Sequence, residues 1–233
     1  MTESQKNTTV RNLRVWDLPT RLFHWMLVLS VIALVITGEV GSQAMVWHFR
    51  LGYVVGGLLV FRMVWGLVGG HYSRFPSFIY GPQPIINYLK GTPNPKHLVG
   101  HNPVGALGVF AMIGLLVAQV VTGLVSDDEI AFAGPLTRFV SNQAVSLATH
   151  YHKEIGKTII IVLVLLHVAA ILFYRFKKNE NLVKPMLVGD KEVAQDAVQA
   201  LPQSTDNART RLLALLILAL AMGLFWWIST LAP

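Results

Sequence analysis

The chain has 233 residues, of which 53% are hydrophobic and only 13% charged, about half the charged share of an ordinary soluble domain. It contains no cysteine, which excludes disulfides, thiolate-ligated iron–sulfur clusters and a porphyrin attached covalently through C-x-x-C-H. The net charge of +7 would suit nucleic acid or anionic lipid, but Lys and Arg sit beside apolar runs and no nucleic-acid motif is present, so lipid and topology account for it.

Taken in chain order, five apolar runs reach the length of about 20 residues that a bilayer span requires: 22–39, 46–69, 103–125, 153–174 and 210–231. The expected fold is an all-α membrane protein. Four helices form a transmembrane bundle and a fifth is added at the C-terminus. The first run ends in Thr37-Gly38-Glu39 rather than a small-residue cleavage site, and it contains His24 and Trp25. It reads as a retained helix.

Basic residues set the orientation. Lys6, Arg11, Arg14 and Arg21 precede or open the first run, Arg74, Lys90 and Lys96 lie in 70–102, and Arg175, Lys177, Lys178, Lys184 and Lys191 follow the fourth run. The 40–46 connection has no basic residue, and 126–151 pairs Arg138 with Asp127, Asp128 and Glu129. The N-terminus is therefore expected in the cytoplasm and the C-terminus in the periplasm, with Trp226 and Trp227 in the outer aromatic belt. The polar stretch 177–209, with Pro185 and Pro202, reads as a cytoplasmic linker. The expected domains are 1–176, the linker 177–209 and an appended helix in 210–233.

Of eight histidines, four fall in or at the ends of helices: His24, His48 at the start of the second, and His152 and His167 at the start and late in the fourth. Ionisable residues within spans are costly and usually functional. The topology sorts these by depth, His24 with His167 at the inner level and His48 with His152 at the outer. His152 and His167 are 15 positions apart, roughly 22 Å along a helix and about 60° past four turns. One helix can thus serve two stacked sites, as cofactor sites in bundles are built. Two imidazoles fill both axial positions of a haem iron and leave a one-electron carrier. Zinc fits poorly, because these residues lie on separate helices at two depths rather than in one cluster.

His48 and His152 are each followed four residues on by glycine, Gly52 and Gly156. The i+4 position lies on the same helix face, so these glycines either make room for a porphyrin or only let helices approach, since Gly52 and Gly56 form G-x-x-x-G. Arg62 either pairs with a haem propionate or snorkels to the inner interface. His150 rivals His152, and a helix starting near 152 favours His152. His71, His97 and His101 read as loop residues. No nucleophile–base pair or phosphate loop is evident.

The residues that carry a resemblance are Arg14-Val-Trp-Asp-Leu-Pro-Thr-Arg-Leu-Phe-His24-Trp, Trp47-His48, Gly100-His-Asn-Pro-Val-Gly105, His152 through His167-Val-Ala-Ala170, and Met186-Leu-Val-Gly-Asp-Lys191. In these the chain resembles the bacterial cytochrome b561 family, which includes B-type cytochrome subunits of Ni,Fe-hydrogenase. The likeness spans roughly 10–191 and leaves the fifth helix outside it. It implies a four-helix core with two non-covalent haems b, ligated by His24, His48, His152 and His167. It also implies electron transfer between quinone and a periplasmic or membrane partner: a hydrogenase, a dehydrogenase or a c-type cytochrome.

Asp17, Arg21 and Arg62 are weak candidates for a quinone contact, and the acidic stretch 126–130 for docking a basic partner. The expected role is an electron-transfer subunit of a respiratory complex in a bacterial inner membrane, without substrate chemistry of its own. The competing readings are a superoxide–quinone oxidoreductase, which needs a basic funnel at the outer level, and a proton-coupled transporter using the histidines as relays.

Overall fold

The computed structural model describes residues 10–194 and 201–232; Lys6 of the basic tail and residues 195–200 of the expected linker lie outside it. Among the described residues, five helical spans are long and apolar enough to cross a membrane.

Helix α1 (Leu18–Val40) starts at Asp17, whose side chain accepts from the Thr20 N–H, and stops at Gly41, where φ is 62°. A short turn leads to α2 (Ala44–Val68). The segment that follows is largely structured, with α3 (Pro82–Leu89) and several 3₁₀ turns. Helix α4 (Pro103–Leu124) is capped by the Asn102 side chain on the Gly105 N–H.

The fourth span departs from expectation. Helix α5 (Asn142–His150) passes through a π-helical turn (Tyr151–Gly156) into α6 (Lys157–Lys177). Together they make one continuous helix of 36 residues, about 54 Å long against a hydrocarbon layer of about 30 Å. The helix therefore begins at Asn142, not near 153, and His152 lies inside it rather than at its start. Residues 142–152 are too polar to read as part of an apolar run, but Ser141 caps the Ala144 N–H and opens the helix there.

The stretch expected as a plain linker is docked on the bundle. Helix α7 (Val183–Val188) leads through Gly189, at φ 94°, into β2 (Asp190–Ala194). β2 pairs antiparallel with β1 (Val10–Arg14), Leu13 opposite Lys191. Ser204 donates from its N–H to the Arg14 carbonyl at 2.9 Å and from its hydroxyl to that of Val15 at 2.6 Å. Leu13, Val15, Trp16, Tyr72 and Val99 bury one another beneath this ribbon.

Helix α2 is the centre of the bundle. On one side Leu58, Phe61 and Trp65 pack with Phe23 of α1 and with Ala214 and Ala221 of α8 (Ala208–Ser229); on another, Val55 and Leu59 meet Leu116 and Ile160. The fifth helix is no loose appendage. A Cβ at Gly56 would lie 2.1 Å from the Phe225 ring, and one at Gly57 2.7 Å from the Met222 sulfur. Of the two glycines in the G-x-x-x-G, Gly56 thus serves helix approach. Leu29, Leu165, Leu220 and Trp226 remain exposed on the helix surfaces, as side chains solvated by lipid do.

Candidate functional site

The bundle brings its span histidines together at two levels. At the end where α2 begins, the rings of His48 and His152 lie edge to face, centroids 6.1 Å apart and planes at 82°. His48 Nδ1 is 3.0 Å from the Leu34 carbonyl, and His152 Nδ1 is 2.9 Å from that of Gln119. A carbonyl only accepts, so each Nδ1 carries the proton and donates, which leaves both Nε2 atoms with a free lone pair. The Gln119 amide in turn donates to the His152 carbonyl at 2.9 Å.

His152 stands within the π turn. A turn closed by i→i+5 bonds advances less per residue than an α turn. It therefore unwinds the helix and takes back part of the rotation between His152 and His167. His150, on the α5 side, is exposed, whereas His152 is half-buried.

Glycines seat these rings, but not the pair expected. A Cβ at Gly123 would lie 2.8 Å from His152 Cε1, and one at Gly38 3.2 Å from His48 Cε1. A Cβ at Gly52 would meet nothing within 4 Å, so that face of α2 is open beside His48. Gly156 faces no such space: α4 packs against the π turn, and a Cβ there would lie 2.1 Å from Gln119 Oε1. Gly38 and Gly123 escape sequence reading because their partners come from other helices.

At the opposite end stand His24 of α1 and, within electrostatic range of it, His167 of α6. His24 Nδ1 is enclosed and has no hydrogen-bond partner. Arg62 does not snorkel. It is 3% exposed, its guanidinium stands 4.6 Å over the Phe75 ring, and its Nη1 is enclosed without a partner. His101, read as an ordinary loop residue, proves to belong here. Its ring packs against Phe78 at 4.4 Å and Trp16 at 4.7 Å, and its Nδ1 is also enclosed and unpartnered. Burial, and then the nearby charges of Arg62, His24 and His167, push His101 down to about 3. It lies one residue before the cap of α4 rather than on a span, so a search along the spans misses it.

Asp17 and Arg21 are otherwise engaged. Asp17 is fully buried and accepts from the Thr20 and Gly70 N–H groups, the Trp65 indole and the Ser73 hydroxyl. Arg21 donates to the Leu187 carbonyl. His71 lies 3.4 Å from an Arg74 nitrogen and His97 packs on Tyr80, both away from the span histidines. Among the described residues no three His, Asp or Glu side chains gather as a metal cluster; the arrangement is one of pairs.

The acidic loop is folded on itself, Asp128 accepting from the N–H groups of Ile130, Ala131 and Phe132. Asp127, Glu129 and Phe132 share an open groove with Phe49, Arg50 and Tyr53.

The family model for prokaryotic cytochrome b561 matches residues 15–189. The chain is similar to a probable Ni/Fe-hydrogenase B-type cytochrome subunit of Bradyrhizobium diazoefficiens, 24% identical over 76% of this chain and 85% of the relative. A protein of the same description from Cupriavidus necator is 24% identical over 78% and 87%. A probable Ni/Fe-hydrogenase 1 B-type cytochrome subunit of Escherichia coli is 28% identical over 54% and 64%.

Proposed function

The chain belongs to the prokaryotic cytochrome b561 family and is a multi-pass membrane b-type cytochrome of electron transfer, and from that premise we propose that it holds two haems b through four histidines. His48 and His152 take one haem, His24 and His167 the other. The observation that carries this is the apposition of His48 and His152. At about 2 Å per metal–nitrogen bond, two imidazoles on opposite sides of one metal have centroids roughly 6 Å apart, and these stand at 6.1 Å. Both Nδ1 atoms are tied to carbonyls. Such outer hydrogen bonds fix the ring and raise the basicity of the nitrogen that binds. At the other level, enclosed and unpartnered nitrogens on His24 and Arg62 suit a ligand and a propionate anchor, and the open face at Gly52 suits a flat macrocycle.

Haem, when bound, would supply a one-electron iron couple, and His48, His152, His24 and His167 would hold it through their imidazole nitrogens. The protein's part is to hold the ligand rings, to exclude water and to set the potential through burial and hydrogen bonds. In this reading residues 1–176 form the haem-carrying unit, 177–209 the cytoplasmic connection and 210–233 the added helix. The N-terminus is cytoplasmic and the C-terminus periplasmic, in a bacterial inner membrane.

The chain passes electrons between the quinone pool and a redox partner, foremost a hydrogenase, as the names of its relatives suggest. A dehydrogenase or c-type cytochrome would fit the same chemistry. The superoxide–quinone reading is not favoured, because Arg50 shares its groove with Asp127 and Glu129.

The test is a redox titration of the purified chain followed in the visible spectrum. The expected result is two one-electron b-type components that a quinol reduces. A chain purified from haem-replete membranes without any b-type band would overturn the reading.

A further inference from the structure

Two buried nitrogens without partners belong to one cluster at the loop before α4, linked through the Phe75 and Phe78 rings: Nη1 of Arg62 and Nδ1 of His101. An unmet polar atom in the interior costs on the order of 1–3 kcal/mol, so two in one cluster point to an absent acceptor. The carboxylate on hand does not supply it. Asp17 is near enough to act on Arg62 by charge, but its oxygens already accept from Thr20, Trp65, Gly70 and Ser73.

His101 is held firmly where it stands. Phe78 and Trp16 pack against its ring at 4.4 and 4.7 Å. The Tyr80 hydroxyl donates to its backbone carbonyl at 2.9 Å. Its neighbour Asn102 caps α4 through the Gly105 N–H at 2.7 Å and donates to the Tyr174 hydroxyl at 3.0 Å, which ties the loop to α6. Rings braced in this way are orienting devices rather than loose loop side chains.

We infer that His101 is, with Arg62, an anchor for the propionate carboxylates of the haem held by His24 and His167. The inference rests on the two-haem reading above. A carboxylate is the chemistry that these two nitrogens select, because a hydrogen bond to an ionised acceptor is roughly twice as strong as a neutral one. His101 is a positioning residue. Its N–H offsets propionate charge near the iron, which favours the reduced, less positive state and raises that haem's potential.

The test is a redox titration of the full chain carrying His101→Phe, which keeps a packing ring but has no N–H. The expected result is both haems retained, with only the haem that survives His48→Ala shifted to lower potential. The shift is up to about tenfold in the reduction equilibrium, roughly 59 mV for one electron. His101→Gln, which retains a donor, restores most of it. Unchanged potentials, or an equal shift of both haems, assign His101 to packing and overturn the inference.

Should His101→Phe fail to accumulate, His101→Leu decides, because it has no donor and is a smaller apolar side chain. Resonance Raman propionate bending bands that match the wild type would overturn the inference, and displaced bands would sustain it. Wild-type protein with fewer than two haems b would instead overturn the reading beneath it.

Discussion

His48 and His152, on the second and fourth spans, meet edge to face at 6.1 Å, each with its Nδ1 bound to the main chain of another helix. Each ring is aimed by a helix other than its own: His48 by Leu34 of α1 and His152 by Gln119 of α4. Both helix contacts must therefore be right before the two rings meet.

That dependence makes Gly123 a sensitive position. A side chain there would enter within 2.8 Å of His152 Cε1. Gly123→Val is expected to turn the ring off its carbonyl and to lose one haem of two while the protein still inserts. Haem-to-protein ratio and membrane level, measured together, check it; two haems retained would mean that the ring has freedom to move.

Gly52 and Gly156 should behave in opposite ways. Gly52→Leu fills a face with nothing within 4 Å, so the fold is expected to survive while haem binding falls. Gly156→Ala drives a methyl to 2.1 Å from Gln119 Oε1, an overpacking that costs about 1–3 kcal/mol. Thermal melting in detergent with the haem content separates the two effects.

Asp17→Ala removes the acceptor for four donors in a fully buried position. It loses the cap of α1 and strands interior N–H and O–H groups. The expected destabilisation is about 3 kcal/mol, read as a lower melting temperature. Asp17→Asn recovers part of it, as an amide oxygen still accepts.

Gly56→Leu tests the fifth helix. With Phe225 2.1 Å from where a Cβ would stand, the substitution is expected to push α8 away from α2 and to increase protease cleavage in 201–207. The added helix contributes none of the four histidines, so both haems should remain.

The spans and the resemblance to the family were legible because each depends on residues near one another in sequence. The start of the fourth helix at Asn142 was not, because a polar, Ser-capped helical extension leaves no apolar signal. His101 was missed for a related reason: it precedes the cap of α4, and only the folded chain brings it beside Arg62. The docking of 201–204 on β1 runs through main-chain carbonyls at Arg14 and Val15, which side-chain patterns do not report. Arg62 could be placed at the right level, but its burial depends on Phe75 in a separate turn.

The most direct measurement is haem b per chain, by pyridine haemochrome, in the wild type and in His48→Ala, His152→Ala, His24→Ala and His167→Ala. The account predicts two haems in the wild type and one in every variant. The haem left in His48→Ala and His152→Ala should have the same potential, different from the one left in the other two. Variants that keep both haems, or a pair whose members retain different ones, would contradict it.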